Sequence, residues 1–514
     1  MKKRCNTLLR VALGGALTMS LLAGCGGSSH DYVYTSTGNA VTTSGTIEVE
    51  QVLARAVSQF VTHLKFVGLN DSGEILYGPE SRVKSEKIVL SNVSLEITRL
   101  RIEYWAGRNL VGQAEVPVAF DSSGRARVVD PSWTDSPAGP VKFSDQPFRI
   151  PVPSRPLSVV SGDFNEDGHP DLASANTVGT TVSVALGLGD GTFGAATSMQ
   201  SGVGPTGLAA GHLDGDRHLD IVVANFGADL QPGGSPPNNN IGGDGGTLIG
   251  GGNLAIFHGH GDGTFTFRHH IEAGNGPTSV VIGDFNRDGR SDLACTDFRD
   301  NTVTILLGDG LGRFEKLGSY PVGERPRDLA IGYINDDEHL DIAVANEGIT
   351  GDDPNLDGSA SVLLGVGDGS FHPATSLETG SNPHHAQLRD FDGDGKTDLV
   401  IANFISNDLS VFMGRGDGTF APQVRYATPQ TPLSVAVGDF NLDGRLDLAV
   451  ACATDGVVAV LAGRGNGEFE PAVSVKAGDG TFYVVSDDFN HDGRPDFATA
   501  NAAGSDLSVI LGTP

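Results

Sequence analysis

The sequence predicts an all-β protein, a seven-bladed β-propeller preceded by a small antiparallel β-sandwich. A nine-residue acidic stretch recurs seven times at a basic spacing of 49 residues, and such a period is typical of solenoids and propellers. Each repeat contains four short runs of Val, Ile, Leu and Ala bounded by Gly, Asp and Asn, which indicates four strands joined by tight turns. Seven units of four strands predict seven blades.

The acidic stretch occurs in five regular and two irregular copies. The regular copies DFNEDGHPD, DFNRDGRSD, DFDGDGKTD, DFNLDGRLD and DFNHDGRPD begin at residues 163, 284, 390, 439 and 488. The irregular copies HLDGDRHLD and YINDDEHLD begin at His212 and Tyr333, where the first Asp is missing. Loop positions 1 to 9 are counted from these first residues. Arg217 and Glu338 replace the glycine that the regular loops carry at position 6.

The ends of the repeat region predict how the ring closes. The last repeat stops after LSVILGTP, its third strand, and PFRIPVP at residues 147–153 is a strand without a repeat of its own. This strand is expected to complete the seventh blade of a propeller that spans residues 146–514. A ring closed in this way has no open sheet edge.

The chain before the propeller has three expected parts. Residues 1–24 combine a basic start, an apolar run and LLAGC, which predicts an export signal. LLAGC resembles the lipobox of bacterial lipoproteins, so Cys25 is expected to carry the lipid of an exported protein at the outer membrane or cell surface. Residues 25–45 are rich in Ser, Thr and Gly, which favours a flexible tether. Residues 46–135 alternate apolar and polar residues between turns, which predicts the sandwich; it is immunoglobulin-like only by analogy.

The repeats resemble the FG-GAP, or VCBS-type, repeats of the integrin α-subunit propeller and of many bacterial surface proteins. The resemblance covers about residues 146–514. It implies that the loop between the first two strands of a blade binds calcium through side chains at positions 1, 3, 5 and 9 and a backbone carbonyl at position 7. The implied side-chain ligands of the regular loops are Asp163, Asn165, Asp167, Asp171, Asp284, Asn286, Asp288, Asp292, Asp390, Asp392, Asp394, Asp398, Asp439, Asn441, Asp443, Asp447, Asp488, Asn490, Asp492 and Asp496. The irregular loops are expected to bind weakly through Asp214, Asp216, Asp220, Asn335, Asp337 and Asp341.

The chemistry of the loops favours the same ion. Calcium takes six to eight oxygen ligands, and alternating Asp and Asn side chains can all turn inward where a glycine relaxes the bend. An EF-hand is excluded because position 12 of the first loop is Ser174, in a predicted strand, instead of a glutamate. We therefore expect five firm and two doubtful Ca²⁺ sites. The alternative is that the loops are acidic turns solvated by water and bind no metal.

Composition and motifs limit the function classes. A net charge of −29 disfavours nucleic acid as a partner. The sequence has no GxSxG, HExxH or Walker motif. The RGD at residues 415–417 belongs to a repeated GxGDGTF-like turn, so an integrin-ligand role is not expected. Cys295 and Cys452 are expected to be small buried apolar residues without a disulfide.

Candidate ligand sites lie on the face opposite the acidic loops. Two insertions, residues 227–253 and 347–358, fall between the second and third strands of blades two and four, and long loops on a rigid scaffold commonly bind ligands. Polar residues are expected at the channel mouth of the same face, either as a ligand rim or as a solvated edge: Arg327, Asp328, His384, His385 and Tyr483.

Two functions stay open on the sequence alone. The first is a lipid-anchored, calcium-binding adhesion module at the cell surface that recognises a protein or glycan with this face and meets the membrane only through its lipid. The alternative is a surface enzyme, a polysaccharide lyase or hydrolase, with its site at the channel mouth. A propeller fold is compatible with both.

Overall fold

The computed structural model describes residues 142–227, 252–335, 337–348 and 358–513 in full, and before residue 142 only the backbone of the strands. The chain divides into two compact units, residues 1–137 and 138–514. Every regular element among the described residues is a β-strand. Those residues accordingly include no helix long and apolar enough to cross a membrane.

The described strands of the first unit form three sheets. The first sheet pairs β1 (Leu9–Leu13) with β2 (Leu17–Leu21). The second orders β10 (Arg125–Val129), β3 (Ser44–Glu50) and β7 (Lys87–Ser94). The third consists of β4 (His63–Leu69), β5 (Ile75–Tyr77), β6 (Glu80–Ser81), β8 (Arg99–Ala106) and β9 (Asn109–Pro117).

One strand pair of this unit differs from the predicted antiparallel arrangement. Strands β3 and β10 are parallel, because the long connection through β4 to β9 lets the chain return in its original direction. The packing of side chains between the sheets, and with it the sandwich itself, lies outside the described residues. So do Cys25 and most of the tether at residues 25–45.

The second unit is the predicted seven-bladed propeller, with four antiparallel strands in each blade. Blades one to three consist of β12 (Pro156–Gly162), β13 (Asp171–Asn176), β14 (Thr181–Ala185) and β15 (Thr197–Gln200); β16 (Pro205–Gly211), β17 (Asp220–Asn225), β18 (Asn253–Gly259) and β19 (Phe265–Ile271); and β20 (Pro277–Gly283), β21 (Asp292–Asp297), β22 (Thr302–Gly308) and β23 (Phe314–Pro321). Blades four to six consist of β24 (Pro326–Gly332), β25 (Asp341–Asn346), β26 (Ser359–Leu363) and β27 (Thr375–Leu377); β28 (Pro383–Arg389), β29 (Asp398–Asn403), β30 (Asp408–Phe412) and β31 (Val424–Ala427); and β32 (Pro432–Gly438), β33 (Asp447–Cys452), β34 (Val457–Leu461) and β35 (Val473–Lys476).

The seventh blade joins the two ends of the propeller. It contains β36 (Thr481–Asp487), β37 (Asp496–Asn501), β38 (Asp506–Ile510) and, as its outer strand, β11 (Phe148–Pro151). The strand that precedes the first repeat thus pairs antiparallel with the last strand of the chain. Arg149 strengthens this closure by donating to Asp506 Oδ1 over 2.9 Å.

The innermost strands line the central channel, and the core lies between neighbouring blades. Each first strand contacts the first strand of the next blade, and β36 contacts β12 to complete the ring. All seven second strands are buried along their whole length. Cys295 and Cys452 lie in two of these strands as fully buried free thiols, as predicted.

The connections divide between two faces. On the bottom face, loops between first and second strands bond to turns between third and fourth strands, as from Gly187 N–H to Asp171. On the top face, connections between second and third strands bond to those between blades, as from Phe226 N–H to the Gly204 carbonyl. Both insertions begin and end on the top face, although residues 228–251 and 349–357 within them lie outside the described residues.

Candidate functional site

The regular loops on the bottom face are organised by their own carboxylates. In blade one, Asp163 accepts hydrogen bonds from the N–H groups of Asp167 (3.1 Å) and Gly168 (3.0 Å). Asp167 in turn accepts from the His169 N–H over 2.8 Å. Equivalent bonds recur in the other four regular loops. Positions 1 and 5 therefore turn inward in all five regular loops.

Two loop positions need a left-handed backbone, and the sequence analysis recognised only one. Position 6 has φ near +80°, as at Gly168 (φ 88) and Gly493 (φ 81). A Cβ at Gly168 would meet nothing within 4 Å, so glycine is favoured there by its φ alone. Position 4 is also left-handed, although it holds Glu166 (φ 57), Leu442 (φ 58) and other non-glycine residues.

The carboxylate at position 9 has a structural role that the sequence analysis missed. In blade one, Asp171 accepts from the Phe164 N–H (2.8 Å) and from the Gly187 N–H of the turn between strands three and four (2.7 Å). The same pair of bonds occurs in every blade, including the two irregular ones. Position 9 thus fastens each acidic loop to its own blade, whether or not a metal binds.

Burial changes the ionisation of these carboxylates. It raises the pKa of Asp171 to about 6, of Asp398 and Asp496 to about 7, and of Asp447 to about 8. Neighbouring Asp side chains in the same loops add to the rise, while the two backbone N–H donors oppose it. A divalent cation in the loop would favour the charged form, because it supplies the opposite charge.

The donor set of the regular loops fits calcium. The side chains at positions 1, 3, 5 and 9 offer only carboxylate or amide oxygens, which is the chemistry that calcium prefers. In blade five, ligand oxygens of Asp390, Asp392 and Asp398 lie within 4.8 Å of one another. In the other regular loops an Asn stands at position 3, and its amide donates to the position-5 carboxylate, as from Asn165 to Asp167 over 2.8 Å. These residues would hold the ion; the assignment of each ligand stays a prediction.

The irregular loops keep position 9 but lose other parts of the arrangement. Tyr333, at position 1 of blade four, is 56% exposed and offers no carboxylate. Glu338 occupies the left-handed position 6 with φ 61. In blade two, Asp214 and Asp216 lie beside His258, a strand residue that the sequence analysis did not single out. A signal was available, since the other repeats carry an apolar residue there.

The RGD tripeptide is part of a turn on the bottom face. Asp417 accepts from both the backbone N–H (3.0 Å) and the hydroxyl (2.6 Å) of Thr419. Asp190 and Asp262 make the same contacts in blades one and two. The RGD carboxylate is therefore engaged within its own turn, as the repeat pattern indicated.

Three of the five predicted rim residues converge at the top of the channel. His385 Nε2 lies 3.2 Å from the Tyr483 hydroxyl and 3.6 Å from Asp328 Oδ2. The Val435 N–H donates to His385 Nδ1 over 3.3 Å, so the neutral ring carries its proton on Nε2. Asp328 also accepts from the Ser279 hydroxyl and the Ala386 N–H.

This central network is poorly suited to acid–base catalysis. His385 is 2% exposed, and burial lowers its pKa while raising that of Tyr483 well above its ordinary value. A tyrosine that acts as a base needs the opposite shift. Among the described residues, the channel mouth therefore gives no specific support to the lyase or hydrolase alternative.

The other two rim residues lie outside this network. Arg327 pairs with Glu347 and lies 4.5 Å above the Phe298 ring. His384 packs between Phe404 and Phe482, and its burial, with a smaller effect of Arg327, lowers its pKa to about 3.

Arginine and phenylalanine side chains form a patch on the top face, of which the sequence analysis singled out only Arg327. The Arg299 guanidinium lies 4.2 Å above the Phe226 ring, and those of Arg325 and Arg327 lie 5.8 and 4.5 Å above Phe298. These five residues define the patch. Three of them, Phe298, Arg299 and Arg325, line an open depression of about 300 Å³ together with Asn301 and Glu324. No local motif predicts the patch, because blades two, three and four each contribute.

Comparisons with known proteins agree with this architecture. Residues 163–223, 246–295, 284–344, 333–401 and 390–450 match the FG-GAP-like repeat and together cover more than half of the chain. No curated protein matches the sequence.

Several solved structures are similar in fold at low identity. A crystal structure of BBS1N in complex with ARL6DN, soaked with lead, is 12% identical and has a TM-score of 0.48, with 72% of this chain and 96% of that chain covered. A functionally unknown protein from Desulfotomaculum acetoxidans is 11% identical (TM-score 0.42; 75% and 98% covered). A protein from Lactobacillus plantarum is 12% identical (TM-score 0.45; 81% and 97% covered). These likenesses concern the fold alone.

Proposed function

The chain belongs to the family of FG-GAP-like repeat proteins, and from that premise we propose that it is an exported, calcium-binding module that recognises a glycan or protein with its top face. Calcium stiffens the ring from the bottom face. A lipid on Cys25 holds the protein at the bacterial outer membrane or cell surface.

The position of the arginine–phenylalanine patch carries this proposal. Phe226 immediately precedes the stem of the blade-two insertion, and Glu347, the partner of Arg327, lies at the stem of the blade-four insertion. Phe298 and Arg299 belong to blade three, between the two stems. Long loops on a rigid scaffold and half-buried Arg and aromatic side chains are both typical of recognition surfaces.

The chemistry of the region favours a polar ligand. The insertions are rich in Gly, Asn and Pro and carry few apolar residues. Arginine can form paired hydrogen bonds with carboxylate groups, and a phenylalanine ring offers a flat apolar surface. A glycan, above all one that carries carboxylates, combines the groups that such a patch recognises.

Calcium acts at a distance in this proposal. The carbonyl at loop position 2 accepts a hydrogen bond from a turn of the following blade, as from Gly263 N–H to Phe164 and from Gly369 N–H to Phe285. An ion that orders one loop therefore supports two blades. Since it binds only the folded loop, it also stabilises the whole ring by mass action.

Glycan-array and cell-binding measurements on the full chain test the proposal. One variant shortens residues 230–250 to a five-residue turn, which costs little folding free energy because surface loops shorten cheaply. A second combines Arg299→Ala, Arg325→Ala and Arg327→Ala. We expect either variant to lower binding about tenfold or more, in line with the loss of a strong interface contact, while the melting temperature in calcium changes little.

A matched control comes from the bottom face. Arg464 is 48% exposed and pairs with Glu468 and Glu470, so Arg464→Ala should leave binding unchanged. If binding survives both the loop trim and the triple substitution, top-face recognition is wrong and the unit at residues 46–135 becomes the better candidate.

The anchor is tested separately by Cys25→Ser, which should move the protein from the membrane fraction to the soluble fraction.

A further inference from the structure

Blade two contains a metal-binding type of side chain where other blades have an apolar one. His258 immediately precedes the glycine that bonds to the position-9 carboxylate. The corresponding residues in the other blades are Leu186, Leu307, Leu364, Met413, Ala462 and Leu511. Position 1 of the blade-two loop is His212 instead of Asp. Blade two therefore keeps three loop carboxylates, Asp214, Asp216 and Asp220, as many as the four regular loops with Asn at position 3, and gains the imidazoles of His212 and His258.

The imidazole points into the acidic loop. His258 Nδ1 lies 2.5 Å from Asp214 Oδ2 and 3.3 Å from Asp220 Oδ1. Potential ligand atoms of Asp214, Asp216 and His258 all lie within 4.8 Å of one another. Nδ1 is buried and has no well-aligned hydrogen bond to any described residue, although a buried polar atom is normally satisfied. His258 Nε2 in turn lies 3.6 Å from Asp216 Oδ2, so both ring nitrogens face carboxylates of the loop.

We propose that Asp214, Asp216 and His258 bind a first-row transition-metal ion of the Zn²⁺ type. Imidazole nitrogen is a good ligand for such ions, whereas calcium prefers oxygen. Tetrahedral zinc with bonds of about 2.0–2.2 Å places its ligand atoms roughly 3.3 Å apart. His258 Nδ1 and Asp220 Oδ1 already lie at 3.3 Å, whereas Nδ1 and Asp214 Oδ2, at 2.5 Å, move apart when an ion enters between them. Asp220 Oδ1 can supply a fourth ligand atom while it also accepts the Gly259 N–H over 2.9 Å.

The surroundings favour this ion over calcium. His212 Nδ1 donates to the His218 carbonyl over 2.9 Å, so the backbone oxygen implied for calcium at position 7 already has a partner. Asp216 is oriented by the His218 N–H over 2.8 Å, as the position-5 carboxylates of the regular loops are. Arg268 Nη2 lies 3.9 Å from Asp214 but is 53% exposed, so it can move into solvent when a cation enters.

Zinc titration of the full chain by calorimetry tests this site, with calcium present in excess to saturate the other loops. We expect one zinc to bind with high affinity. His258→Leu, which installs the residue of four other blades, should fold normally and lower the zinc affinity about 100-fold or more, and Asp214→Asn should weaken it similarly. Co²⁺ should give the intense visible absorption of a four-coordinate site in the unsubstituted chain and lose it in His258→Leu.

Two histidine variants control for other zinc sites. His372 is exposed and lies in the turn between the third and fourth strands of blade four, away from the cluster, so His372→Ala should bind zinc as before. His169 and His491 form an exposed pair with ring nitrogens 2.7 Å apart, and His169→Asn should also leave the tight site intact. The proposal would be overturned if the unsubstituted chain and His258→Leu bound zinc with equal affinity. It would also be overturned if the tight zinc binding were lost in His169→Asn. Calcium binding in His258→Leu should be unchanged, so failure of the calcium loops and failure of this site give different results.

Discussion

The two faces of the propeller differ in how far their chemistry repeats. On the bottom face, every blade makes the same two bonds from the position-9 carboxylate to backbone N–H groups. On the top face, the third residue of the innermost strand varies, with five residue types among seven blades: Ser158, Gly207, Ser279, Asp328, His385, Ser434 and Tyr483. The repeated bonds hold each blade together, whereas the channel mouth on the top face varies between blades; His258 of blade two is a bottom-face exception.

Calcium removal should produce the largest difference between the faces. Each saturated site stabilises the folded state by about 2.7 kcal/mol at a calcium concentration 100 times its Kd, and five sites add. We expect a chelator to lower the thermal melting temperature markedly. Hydrogen exchange should show that the amides of Asp167 and Gly168 on the bottom face lose protection, while those of Phe226 and Phe404 on the top face keep theirs. A melting temperature indifferent to calcium would contradict the calcium assignment.

Removing a position-9 carboxylate should have the next largest effect on stability. Asp447→Ala leaves the buried N–H groups of Phe440 and Gly463 without an acceptor, at a cost of about 1–3 kcal/mol each. Asp341→Ala in the irregular blade four should lower the free energy of unfolding by a similar amount, because the same two bonds are lost there. Urea denaturation in a chelator measures both. If neither variant is destabilising in the chelator, position 9 acts through the metal and not through the fold.

The two faces should respond to pH with opposite signs when calcium is absent. His384 stays neutral in the fold because its pKa falls from 6.5 to about 3, so the stability it contributes is present above pH 6.5 and is lost as the pH falls toward 3. The raised pKa of Asp447, about 8, makes the metal-free bottom face lose stability as the pH rises from about 4 to 8.

One variant separates these two effects. His384→Leu installs the residue that blade six has at the same position, Leu433, and should recover about 1–3 kcal/mol of unfolding free energy near pH 4. It should change little at pH 7, where the histidine is neutral in both states. Urea denaturation between pH 4 and 8 in a chelator measures the difference. If His384→Leu loses as much stability below pH 6.5 as the unsubstituted chain does, the pKa of His384 does not change on unfolding.

A matched pair of glycines should give the smallest effects. Gly168 on the bottom face and Gly204 on the top face have φ 88 and 63, and neither crowds a new Cβ within 3.4 Å. Replacing either glycine by alanine should lower the free energy of unfolding by about 1 kcal/mol, because alanine would have to adopt a left-handed backbone at both positions. Only Gly168→Ala should weaken calcium binding in titration calorimetry. An equal loss of calcium affinity in Gly204→Ala would show that the two faces are not independent.

The sequence alone determined the repeat architecture of this protein. The spacing of the acidic loops, the four apolar runs per repeat and the leftover strand at residues 147–153 are local patterns, and each depends on residues close together in the chain. They therefore predicted seven blades, the positions of the loops and turns, and the burial of Cys295 and Cys452.

Only the tertiary structure decided which distant groups meet. The position-9 carboxylate reaches a glycine 16 residues away in blade one, and His385 meets Tyr483 across 98 residues. His258 enters an acidic loop of its own blade from beyond an insertion, and the arginine–phenylalanine patch combines three blades. Ring closure and blade packing bring these groups together, and local residue patterns do not encode contacts that form only when separate segments of the chain pack side by side.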